Sequence, residues 1–117
     1  KAALLLYREA AAIGAVSGET NGMAQIYSGI GQLLYLLGRY EESGKYLERA
    51  SAMLSANGYR WGLERSEAYL ALLSVKQGKK EEARQHLERA RYIASRIQNP
   101  ETELLIRGAE EAVAEAE

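Results

Sequence analysis

A thirteen-residue passage occurs twice in the chain, forty positions apart, and that recurrence narrows the possible folds more than any other feature. Gly38-Arg-Tyr-Glu-Glu-Ser-Gly-Lys-Tyr-Leu-Glu-Arg-Ala50 returns as Gly78-Lys-Lys-Glu-Glu-Ala-Arg-Gln-His-Leu-Glu-Arg-Ala90, with seven of the thirteen positions identical. Average composition would give roughly one match. The same offset carries Ala10 to Ala50, Ile13 to Met53 and Ile93, and Leu33 to Leu73. The chain therefore reads as two full repeats, about 22–60 and 61–100, with a partial repeat at 1–20 and a partial repeat or capping helix at 101–117. Self-similarity at such a period marks units that bury their apolar faces only by stacking on their neighbours.

Inside each repeat the apolar spacing is helical. Tyr27, Ile30, Leu34 and Leu37 step by three and four, as do Leu47, Ala50 and Leu54; Leu63, Leu70 and Leu73 continue the pattern. No stretch alternates with period two, so no strand is expected. Gly38 and Gly78 stand where helices should stop, and Asn21-Gly22, Asn57-Gly58 and Asn99-Pro100 mark further stops. Six helices follow, near 2–16, 22–37, 40–56, 61–77, 80–97 and 101–115. Connections this short force antiparallel neighbours, so each repeat is a helical hairpin. The expected fold is all-α, a solenoid of hairpins forming one domain of 117 residues.

These positions resemble the tetratricopeptide repeat. Tyr27-x2-Ile30-Gly31-x2-Leu34, then Gly38, Tyr40, Ser43-x3-Leu47 and Ala50, follow its pattern of an aromatic, Leu-Gly and a later aromatic, then Ala-x3-Phe and a final Ala; the second repeat supplies Leu70-Ala71, Gly78, Ala83-x3-Leu87 and Ala90, and the first partial repeat Tyr7 and Ala10. The small residues would let helix axes approach while Leu47 and Leu87 fill the space between hairpins. Glu67 departs from the pattern, standing where the first helix usually has an aromatic, and Ser74 replaces the later one. The period of forty exceeds the family's usual 34 by about one and two-thirds helical turns. Long repeats of this kind resemble those of bacterial multi-domain transcription regulators and signalling ATPases, and they also occur in eukaryotic scaffold proteins. The resemblance implies a right-handed superhelix, a regulatory or signalling setting and a cytoplasmic location.

Composition removes most other function classes. Fifteen Lys and Arg against sixteen acids leave a net charge of −1, with no electrostatic footprint for nucleic acid or an anionic membrane. Every acid is Glu, there is no Cys, and the one His leaves almost nothing for metal binding or His-based catalysis. His86, in register with Tyr46, reads as a structural surface histidine with no Asp or Cys to orient it. The longest apolar run, Ala2 to Tyr7, is far short of a bilayer span. Lys1 opens directly into an apolar helical pattern, so the chain reads as part of a longer protein. Gly29-Ile-Gly31 has neither a preceding strand nor a following Lys-Ser, which excludes a phosphate loop. Glu41-Glu42 and Glu81-Glu82 suit helix N-termini better than paired catalytic carboxylates. The fifth helix is about three charges positive and the last segment acidic, which suggests that the two attract each other. The Tyr59-Arg60-Trp61 cluster reads as packing under a turn. No enzyme, cofactor or metal is expected.

What remains is an interaction module that binds a protein or peptide, with other domains of the same chain or a second copy as alternative partners and a small-ligand sensor as a further alternative. With Tyr27, Ile30, Gly31 and Leu34 committed to packing, Gln25, Ser28, Gln32 and Tyr35 form the neighbouring stripe of the first helix. Arg65, Ala68, Leu72 and Val75 form it in the next hairpin, with Tyr69 and Lys76 at the edge. The resemblance implies that this stripe lines a concave groove. Ser28 and Gln32 stand where some family members carry a Lys and an Asn that clamp a C-terminal carboxylate, so such a ligand is not expected.

Overall fold

The computed structural model describes residues 20–56, 58, 62–97 and 99–116. They form five helices: α1 (Thr20–Leu36), α2 (Tyr40–Ala56), α3 (Leu63–Lys76), α4 (Lys80–Ala94) and α5 (Pro100–Ala116). There is no strand among the described residues. The expected helix at 2–16 and the Tyr59-Arg60-Trp61 cluster lie outside them. The other five expectations hold, with ends shifted by up to three residues; the largest shift is at α4, which stops at Ala94 in place of 97.

Two glycines end helices as the sequence indicates. Gly38 and Gly78 have φ of 79° and 74°, a left-handed conformation that residues with a Cβ adopt at a cost. Arg39 N–H then donates to Leu34 O, and Lys79 N–H to Ser74 O, which satisfies carbonyls at each helix end. Glu41 and Glu42 open α2 and Glu81 and Glu82 open α4, where negative charge meets the helix dipole.

α1 packs on α2 and α3 on α4, the two hairpins expected. α1, α3 and α5 also succeed one another along an inner layer, whereas α2 and α4 make no contact with each other. The reason lies in side-chain size. In the first hairpin a Cβ on Gly31 would lie 2.6 Å from Leu47 Cγ, so only glycine lets Leu47 seat there. Ser43 Oγ adds a hydrogen bond of 2.7 Å to Gly31 O. Leu47 then packs with Leu70 and Leu73 between the hairpins. Ala68, Ala71, Ala83 and Ala90 join Leu87, Ile106, Ala109 and Val113 in a core that binds the second hairpin to α5. A third cluster, Met23, Ile30 and Leu34, holds the first hairpin.

α4 and α5 also attract each other as their charges suggest, Arg91 Nε donating to Glu110 at 2.7 Å.

Candidate functional site

The predicted stripe straddles the seam between α1 and α3, and its members do not share one role. Ser28 is buried and pairs with Ser66 across the seam at 2.9 Å, so it joins helices and offers no surface. Gln32 Nε2 donates to Ser28 Oγ at 3.0 Å, and its Oε1 lies 3.5 Å from Arg65 Nη2. Arg65 Nη1 stands 3.9 Å from a Glu101 carboxylate oxygen. Tyr35 meets Tyr69 edge-on with ring centroids 5.6 Å apart, and Tyr40 at the same separation. Burial, and then the neighbouring Tyr40 and Tyr69, push the Tyr35 phenol pKa above its ordinary value of 10.0, so it is an uncharged donor and acceptor at neutral pH.

Gln25 is exposed, its amide lying where a Cβ on Gly62 would be. Leu72 and Val75 pack against the core of the second hairpin, Ala68 is buried within it, and Lys76 is exposed in the last turn of α3. The structure thus brings Gln32, Tyr35, Arg65 and Tyr69 together and diverts Ser28, Ala68 and Leu72 into packing.

A second constellation lies on the opposite side, in the gap between α2 and α4. Glu67 of α3, 4% exposed, accepts from Ser51 of α2 and lies 2.7 Å from His86 Nδ1 of α4. Arg89 Nη1 is 3.8 Å from the same oxygen, Oε1. Burial works to raise the Glu67 pKa, but the hydrogen bonds with His86 and Ser51 and the charges of His86 and Arg89 outweigh it and hold the carboxyl below its ordinary range. His86 is therefore not the unoriented surface histidine expected: its side chain is 19% exposed and Glu67 orients it. A cavity of about 360 Å³ opens over this cluster, lined also by Ala52, Leu63, Leu70 and Ile93. The signal was present in the repeat alignment, since Glu67 falls on Tyr27 and His86 on Tyr46. Two polar residues replacing aromatics at paired positions imply a mutual contact.

The family model described as tetratricopeptide repeat matches residues 22–96. The chain belongs to the tetratricopeptide repeat family. The match covers its two described hairpins, α5 lies beyond it, and domains of this family generally bind proteins or peptides. No curated protein and no solved structure matches the chain. Among the described residues no cluster of three His or Glu side chains could hold a metal ion, and no helix is long and apolar enough to cross a membrane.

Proposed function

We propose that the inner face of the tetratricopeptide hairpins, centred on Gln32, Tyr35, Arg65 and Tyr69, holds a peptide or protein segment, and that the module serves a regulatory or signalling protein. The observation that carries this reading is the edge-on Tyr35–Tyr69 pair, half-buried and fixed by its packing, beside an amide and a guanidinium. Rigid aromatics next to Arg are the composition of interaction hot spots, because little side-chain entropy is lost on binding. The regulatory setting is supported by the likeness of the forty-residue repeat to those of bacterial transcription regulators and signalling ATPases.

The test uses peptides selected from a displayed random library on the 117-residue chain. Arg65→Glu with Lys76→Glu is expected to weaken the selected peptides tenfold or more, about 1.4 kcal/mol, and Arg84→Glu with Arg91→Glu to leave them unchanged. The reverse outcome would place the working surface on the outer helices. Tyr35→Ala with Tyr69→Ala should weaken binding by roughly 2 kcal/mol. That variant also lowers the melting temperature, since both rings pack on Leu47, Leu70 and Leu73.

A further inference from the structure

The recess between the outer helices repeats, in altered chemistry, a packing motif of the first hairpin. There the Tyr27 and Tyr46 rings lie 5.8 Å apart, and the Arg49 guanidinium sits 5.1 Å from the Tyr27 ring centroid. Forty residues on, the same register holds Glu67, His86 and Arg89, and the same contacts recur: Glu67 to His86 at 2.7 Å and Arg89 to Glu67 at 3.8 Å. Ring, ring and cation in one hairpin have become carboxylate, imidazole and cation in the next. A carboxylate fills less space than a phenol, and above Glu67 lies the open cavity of about 360 Å³.

We infer that this recess binds an aromatic side chain bearing a hydrogen-bond donor, a tyrosine or tryptophan of a partner polypeptide, with its ring beneath Arg89 and its donor on the His86–Glu67 pair. Three complementarities carry the assignment. Arg89, 62% exposed at the mouth, is a cation that can cover the negative face of a ring as Arg49 covers Tyr27. Ala52, Leu63, Leu70 and Ile93 supply apolar walls, and the volume lies in the range of ligand sites. The floor presents an acceptor, the Glu67 carboxylate, which His86 Nδ1 and the Ser51 hydroxyl hold in place. A donor-bearing ring matches walls, mouth and floor together. The inference is independent of the inner-face reading, since the two surfaces lie on opposite sides of α3.

The probes are N-acetylated amides of tyrosine, tryptophan, phenylalanine and glutamate, titrated into the ¹⁵N-labelled chain and followed by NMR. The tyrosine and tryptophan amides should shift the resonances of Ser51, Glu67, His86, Arg89 and Ile93 with dissociation constants on the order of 1 mM, as ligands of this size allow. Phenylalanine amide should bind at least threefold more weakly, and glutamate amide should leave these resonances unmoved. Glu67→Tyr with His86→Tyr rebuilds the ring pair of the first hairpin inside the recess and should abolish the response. Ala52→Phe, at an exposed rim position, plugs the recess without touching the buried cluster and should do the same. The inference is overturned if tyrosine amide produces no shift there, if phenylalanine or glutamate amide binds as well, or if the folded Ala52→Phe chain responds like the wild type.

Discussion

Gly31 and Gly108 are both helical glycines, and their surroundings give them opposite expected responses to alanine. A Cβ at Gly31 would stand 2.6 and 2.8 Å from the Leu47 side chain and 3.2 Å from its backbone nitrogen. Leu47 is fully buried and has nowhere to move. Gly31→Ala is expected to destabilise by roughly 1–3 kcal/mol, overpacking outweighing the gain in helix propensity. At Gly108 nothing lies within 4 Å, so Gly108→Ala should stabilise by about 0.5–1 kcal/mol. Urea unfolding of the two variants checks both signs. The two buried glutamates are a second contrasting pair. Glu67 has its pKa held below the ordinary 4.5, so its contribution is fully present above pH 4.5 and is lost as pH falls through the folded value. Glu67→Gln should cost roughly 1–3 kcal/mol at pH 7, a difference that shrinks toward pH 3. Burial pushes the Glu64 pKa up, so ionising it costs stability as pH rises from 4.5 through its folded value. Glu64 Oε2 and the neighbouring Thr102 Oγ1 are buried, and contacts of the carboxyl with Thr102 and with backbone groups offset its burial only in part. Glu64→Gln removes the buried charge and supplies a donor, and should leave the chain as stable or more stable at pH 7. Stability measured against pH for both variants separates these signs.

Each helix has one face whose residues are small because another helix axis lies close. Ala50 and Ala90, equivalent across the repeat, are fully buried, while Ala52 two residues further along α2 is exposed. Ala50→Leu or Ala90→Leu should destabilise by roughly 1–3 kcal/mol, and Ala52→Leu by much less. Thermal melts of the three variants decide it, equal shifts meaning that the buried stripe has been misplaced. The element ends obey the same local logic: with φ near 79° and open space around it, Gly38 is held by backbone conformation alone. The helical periodicity, the stops and the small positions all repeat at forty residues, so element type and placement were legible from the chain. The end of α4 was not, because Ser95, Arg96 and Ile97 continue a helix-compatible pattern after regular helix stops at Ala94. In the structure the Ser95 hydroxyl donates to Tyr92 O at 2.6 Å there.

α3 touches all four other described helices, whereas α5 packs on α3 and α4 only. In a stacked array, stability is a sum over neighbours, so opening α3 costs more contacts than opening α5. Hydrogen exchange should find the slowest amides in the middle of α3 and distinctly faster ones in α5. Protection in α5 equal to that in α3 would mean that the hairpins and α5 open only as one unit. α5 also carries Leu104, 70% exposed, while Leu105 is half-buried and Val113 is buried in the core it shares with the second hairpin.

The repeat by itself determined the helices, their antiparallel pairing and the sites of close axial approach, because these depend on spacings within a hairpin and recur at each copy. It also marked Glu67 as a departure from the family pattern and placed His86 in register with Tyr46. Only the tertiary structure decided what those two residues do. The contacts Ser28–Ser66, Ser51–Glu67 and Glu67–His86 join residues 38, 16 and 19 positions apart. Whether a polar side chain on a helix faces water, a partner or a cavity depends on which neighbouring helix covers that face. Periodicity along one helix identifies the apolar stripe, but it carries no information about the angle at which the next hairpin crosses. In the structure α2 and α4 stand apart, Ser28 is closed into the seam between α1 and α3, and the recess opens over Glu67.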